Sequence, residues 1–406
     1  MRVRSGEGAV AVVLAVFVFG GVALDSWGPK VSPDASAETA DAAFSARAVF
    51  CPPALGKPAS RVTLTAAARG DEPVSVGFEP ASDERTDLAP ASILEHRPPT
   101  AGATDVVGYG GAVDATAVTS IEEPVSGVGA SGCAPRASSR WYFPEGNSTV
   151  THDERLLIYN PFPDEAVVRV SLLTPAGEVS KAGLADVPVP SESSISVAIE
   201  DFILEEKVLG AVVEAVRGRV VAWRLSIARP EEKPSGIQLT LGTTALGGMW
   251  YFPEGAVGEG FEERLSIMNP GTEEAIVDVS LVTTSGSIPA AGLTELAVPA
   301  LSTIAVVLDP SMLTGESGGA GAVVRSVNDV PVAVERTVFY ATEDVDGVAS
   351  EIGARTLSER WLLGPATTRP ETDWAVLLNP GSEQVEASIA LLRASGPPLR
   401  PTALRT

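Results

Sequence analysis

The chain has 406 residues, two cysteines, two histidines and a formal net charge of −23. So large an acidic excess repels phosphate backbones and anionic headgroups, which disfavours nucleic acid as a partner; solubility of an exposed surface accounts for the charge. The histidines, His96 and His152, lie far apart, and no C-x-x-C or H-E-x-x-H is present, so no set of zinc ligands exists.

At the N-terminus, Arg2 and Arg4 precede an uncharged apolar stretch from Ala9 to Leu24. Such a segment reads as an export signal that leaves everything after it outside the cytoplasm. Sixteen residues span about 24 Å as a helix, somewhat less than a bilayer core of ~30 Å. The nearest small-x-small pattern, Ala35-Ser36-Ala37, is more than ten residues further on, which favours an uncleaved anchor (1–24) over a cleaved signal peptide. Residues 25–46, rich in Ala, Ser and Asp, read as a stalk.

Residues 47–138 read as a diverged β-unit, with strands at Val62–Thr65 and Val74–Val76 and Gly-broken β structure from Val106 to Val118. Cys51 and Cys133 bracket it, and an even pair outside the cytoplasm is expected to form a disulfide. Closing so long a stretch stabilises by roughly 4 kcal/mol on the chain-entropy model.

The pattern that follows is a repeat. Trp141-Tyr142-Phe143-Pro144-Glu145-Gly146 recurs letter for letter at Trp250–Gly255, and Trp361-Leu362-Leu363-Gly364-Pro365 opens a further copy. Each copy then carries Asn-Pro (Asn160-Pro161, Asn269-Pro270, Asn379-Pro380) and, 17 residues after the Asn, a glycine: Gly177, Gly286 and Gly396. A fixed period means one folding unit used several times. Within a unit the apolar residues alternate in short runs bounded by Pro, Gly, Asp and Ser, which is strand chemistry punctuated by turns. Strands are expected at Trp141–Phe143, Leu156–Tyr159, Val167–Thr174, Val187–Val189, Ser194–Ile199, Ala211–Val216 and Val220–Ala228. About seven short strands per unit predict an all-β fold of tandem antiparallel β-sandwich repeats, immunoglobulin-like, behind an N-terminal membrane helix. A propeller blade needs only about 40–50 residues, fewer than one unit holds. The repeats are placed at 139–232 and 248–345, with an incomplete third at 358–406 that carries the first three strands. The Asn-Pro turns have a structural role, since Pro stops the strand and Asn starts the turn.

Three motif matches fail on context. Gly127–Gly132 fits G-x-G-x-x-G but reads as a Gly/Ser loop with no helix after it. Gly315–Gly319 fits G-x-S-x-G, yet a strand follows and no later His exists. Asp344–Gly347 lacks the ligand count of a calcium loop. Glu145 and Glu254 share a repeat position and are the best acid/base candidates, although a Pro-Glu-Gly turn is the ordinary setting for such residues. Trp141, Tyr142, Trp250 and Tyr251 could stack on sugars; alternation puts at least one member of each aromatic trio in the core.

The Cys51-Pro52-Pro53 start, Cys133 just before Arg140-Trp141-Tyr142-Phe143, and Leu156-Leu157-Ile158-Tyr159-Asn160-Pro161 together resemble the actinobacterial secreted or membrane-anchored family known only as domain of unknown function 5719. The resemblance covers roughly residues 1–345 and implies no activity, substrate or catalytic residue. The expectation is a non-enzymatic, extracytoplasmic structural or binding protein of the bacterial envelope, with no cofactor. It would be held in the membrane through residues 9–24, or secreted, and partnered by cell-wall glycan or an envelope protein. The alternatives are a polysaccharide-acting enzyme using Glu145 or Glu254, and an accessory subunit of an envelope-assembly machine.

Overall fold

The computed structural model describes residues 46–400 apart from 57–58, 81–83, 100, 232–233, 254, 256–257, 259, 284, 313–319, 343–345 and 365–374. The expected anchor, the expected stalk up to residue 45 and the Gly315–Gly319 match therefore lie outside the described residues. Among those described, no helix is long and apolar enough to cross a membrane.

The protein is all-β, built from antiparallel sheets. An opening set comprises β1 (Ala46–Ala54), β2 (Ser60–Arg69), β3 (Val74–Glu79), β4 (Arg85–Leu88), β5 (Ile93–His96), β6 (Gly102–Tyr109), β7 (Ala112–Ile121) and β8 (Gly127–Gly132). The first repeat comprises β9 (Arg140–Phe143), β10 (His152–Asn160), β11 (Ala166–Thr174), β12 (Gly177–Val179), β13 (Val187–Val189), β14 (Ser193–Ala198), β15 (Gly210–Arg217), β16 (Val221–Ala228) and β17 (Gly236–Leu241). The second comprises β18 (Met249–Phe252), β19 (Phe261–Asn269), β20 (Ala275–Thr283), β21 (Gly286–Pro289), β22 (Leu296–Val298), β23 (Ser302–Leu308), β24 (Gly321–Ser326), β25 (Ala333–Ala341) and β26 (Asp346–Ile352).

Strand order repeats with the sequence. One sheet of each set runs β5-β2-β7-β8, β14-β10-β16-β17 and β23-β19-β25-β26. The other runs β1-β6-β3-β4, β9-β15-β11-β12 and β18-β24-β20-β21. The two sheets of the first repeat bury a shared core, with Trp141, Phe143, Val168, Val170 and Val213 from one and Leu156, Ile158 and Ala222 from the other. Inward and outward residues alternate along β11, as a pleated half-buried strand requires. The cores are not sealed from each other. Ile121 and Ala134 of the opening set join the core of the first repeat, and Tyr142 and Leu173 of the first repeat join the core of the second.

The repeated turns have a common physical basis. Asn160 donates from Nδ2 to the carbonyl of Asp164 at 2.7 Å and accepts from the backbone of Phe162 at 3.1 Å. Asn269 does the same with Glu273 and Gly271, and Asn379 with Glu383 and Gly381. The side chain thus replaces ladder bonds that Pro cannot supply. Gly177, Gly286 and Gly396 all have positive φ (117°, 124° and 80°), which explains their constant distance from the Asn.

Several expectations need correction. β17 pairs with β16 and β26 with β25, so the sheets run past the boundaries drawn at 232 and 345. Gly127–Gly132 is strand β8, not a loop. Its glycines admit a neighbour: a Cβ on Gly129 would lie 3.0 Å from the backbone nitrogen of Leu239, and one on Gly127 would lie 3.1 Å from Ile237 Cδ1. The three strands expected in 358–406 do not form ladders among the described residues, which show only isolated bridges such as Leu391–Leu399. Trp361, Leu363, Leu377 and Leu391 are exposed there, whereas their counterparts Trp250, Phe252, Ile267 and Leu281 are buried. The strands that cover those positions in a complete repeat have no equivalents among the described residues of this segment.

Candidate functional site

The densest polar chemistry lies at the joint between the first and second repeats. Arg224 sits in the apolar strand β16 with its side chain 1 % exposed. Its Nη1 donates to Glu335 Oε2 at 3.0 Å and to the carbonyl of Glu145, and its Nη2 donates to Glu335 Oε1 at 2.8 Å and Ser350 Oγ at 3.1 Å. Its Nε lies 3.3 Å from Glu154. Glu335 and Ser350 belong to the second repeat, so one guanidinium ties two repeats together through a bidentate fork.

Glu145 completes the joint. Its backbone N–H donates to Glu335 Oε2 at 3.2 Å, while its carboxylate accepts from Ser266 at 3.2 Å and from Thr337 at 2.6 Å. The neighbouring carbonyl of Pro144 accepts from Thr303 at 2.8 Å. Gly146 is required by closeness: a Cβ there would stand 2.6 Å from the carbonyl oxygen of Leu209. The Trp-Tyr-Phe-Pro-Glu-Gly phrase is therefore a strand followed by a reach into the next repeat.

Burial governs the electrostatics. Three carboxylates (Glu145, Glu154 and Glu335) surround one guanidinium in a site closed to water. Desolvation pushes Glu154 up to about 8 against the pull of Arg224, and raises Glu335 for the same reason. The surrounding carboxylates, Glu335 first, outweigh the desolvation of Arg224 and raise it further. The first joint, between the opening set and the first repeat, is built differently. There Tyr159 donates to Asp105 at 3.0 Å, and burial pushes Asp105 up to about 7.

Other candidate residues fall elsewhere. Trp141 and Trp250 are 2 % and 1 % exposed, and each donates its indole N–H to a carbonyl in its own repeat, Val220 at 2.8 Å and Val332 at 3.0 Å. Tyr142 is buried against the second repeat, and Tyr251 is half-buried. Trp141, Tyr142 and Trp250 thus present no face on which a sugar ring could stack, because their rings are spent on the cores. Glu254 lies outside the described residues. Cys51 and Cys133 form a disulfide, with Cα atoms 4.4 Å apart, joining β1 to the residue after β8. Among the described residues, no three His, Cys, Asp or Glu side chains group to hold a metal.

Sequence reading missed Arg224, Glu154 and Glu335. The available signal was a charge inside an apolar run, Ala222-Trp223-Arg224-Leu225, combined with recurrence. The same pair returns in the second repeat as Arg336 and Glu263, 4.0 Å apart, with Arg336 also 2.8 Å from Glu351.

Residues 100–335, more than half of the chain, match the family model described as a family of unknown function, DUF5719. The chain belongs to that family. No curated protein matches the sequence significantly.

Proposed function

We propose that the protein is a non-enzymatic structural or binding component of the bacterial cell envelope, acting outside the cytoplasm. Its repeats are read as β-sandwiches of immunoglobulin type, carried by a membrane segment at residues 9–24 or secreted. The observation that carries this reading is the placement of Glu145. The best acid/base candidate is buried and hydrogen-bonded within a joint, where it holds repeats together instead of facing substrate. The Cys51–Cys133 disulfide supports an oxidising compartment. The binding partner in this reading is cell-wall glycan or an envelope protein, engaged through surface other than the aromatic trios.

Co-sedimentation with purified cell-wall material, before and after its polysaccharides are stripped, tests the reading. Sedimentation lost on stripping identifies a glycan partner, and its absence throughout leaves an envelope protein as the partner. Turnover of a wall polysaccharide that disappears in Glu145→Gln while the fold is intact would overturn the non-enzymatic assignment.

A further inference from the structure

The residue before each repeated Asn does the same work three times. Tyr159 turns back to the opening set, where it bonds Asp105 and meets Phe50 edge-on with ring centroids 6.3 Å apart. Met268 turns back to the first repeat: a Cβ on Gly210 would come within 2.5 Å of its Cε. Leu378 turns back to the second repeat, with its Cδ1 3.3 Å from where a Cβ on Gly321 would stand. Gly210 and Gly321 open equivalent strands, β15 and β24. Leu378 therefore sits on the second repeat as the second repeat sits on the first.

The forward side of the joint recurs as well. In the first repeat the turn at Pro144-Glu145 reaches ahead to Thr337 on β25. Gly364 holds the place of Pro144 in the later copy, and a Cβ there would lie 4.0 Å from Thr116 Cγ2. Thr116 is on β7, which has the place of β25 in the opening set. Arg393 also bridges Ser92, and Ile93 donates to the carbonyl of Arg393 at 3.3 Å, at the end strand β5 of the opening sheet. Head-to-tail joints of this kind make an open stack or, when the rotation closes, a ring.

We propose that the array closes on itself. The surface of the opening set formed by Ser92, Ile93 and Thr116 is an interaction surface whose partner is residues 361–364 and 375–393 of the same chain, acting as a fourth member between the second repeat and the opening set. Closure gives the end sets a neighbour, which an open solenoid must replace with caps.

The test uses the full chain carrying Ser92→Cys with Arg393→Cys, oxidised mildly at low concentration and resolved by non-reducing mass analysis. The expected result is an intramolecular crosslink in a monomer, with a severalfold lower yield when Leu378→Asp is added to break the contact with the second repeat. A second pair, Thr116→Cys with Gly364→Cys, reads the same closure on different elements, so one misfolded variant does not decide the outcome. Crosslinks only between molecules assign the surface to a second copy and overturn the proposal. No crosslink in either pair overturns it outright.

Discussion

The carboxylate of Glu145 in one repeat accepts a hydrogen bond from the hydroxyl of Thr337 in the next, at 2.6 Å across 192 residues of chain. Ser266 donates to the same oxygen. Truncating Glu145 leaves two hydroxyls buried without an acceptor. Glu145→Ala is expected to destabilise by about 1–3 kcal/mol for each group left unsatisfied, with Glu145→Gln milder. Urea unfolding of the three proteins checks this, and equal midpoints would count against the joint.

Arg224 offsets the charge of Glu335 in a cluster of three buried carboxyl groups. Arg224→Met should cost about 3–5 kcal/mol, because it strands charge in a dry site, whereas Arg224→Met with Glu335→Leu should recover much of the loss. A double-mutant cycle by chemical unfolding measures the coupling; additive losses would show that the two side chains do not act as a pair.

Stability should fall as pH rises. Unfolded, Glu154 ionises near its ordinary 4.5 and Asp105 near 3.8, whereas burial holds them protonated to about 8 and about 7 in the fold. Between those values the folded state binds more protons. The stabilising contribution is complete below the ordinary values and is lost as pH climbs through 7 to 8. Thermal midpoints across pH 5 to 9 should decline, and Glu154→Gln should flatten the upper part of the decline.

Gly129 marks where β8 and β17 approach. Gly129→Val must displace Leu239, so it should cost about 1–3 kcal/mol as overpacking does, with Gly129→Ala costing less. Hydrogen exchange along β17 should quicken in the Val variant while β11, on the other sheet, keeps its protection. Uniform loss of protection would mean that the glycine serves its own strand and not the joint.

Much of the fold was legible in the residues. The alternation in Val167–Thr174 and the exact return of the Trp phrase place strands within a residue or two, because a half-buried pleat leaves a period-two trace. β8 and β17 were harder. Gly127-Val128-Gly129 has too few side chains to alternate, since its glycines serve a neighbour that a linear reading cannot see. The joint was invisible for a related reason: Glu145 looks like a surface turn until residues beyond 260 are folded against it. Arg224 did break an apolar run, and its recurrence as Arg336 was a readable hint. The Asn-Pro turns, by contrast, are local, and their chemistry could be written from the sequence alone.

The reach of Glu145 and Arg224 into a later repeat has a consequence in time. Glu335 lies 111 residues downstream of Arg224, and a ribosome adds about 5–20 residues per second, so the guanidinium waits roughly 6–22 s for its main partner. Through that interval the first repeat can assemble its sheets but not complete its interior. Maturation of each repeat therefore lags its own synthesis by about the synthesis time of the next, and a stalled chain would expose buried charge instead of a finished surface.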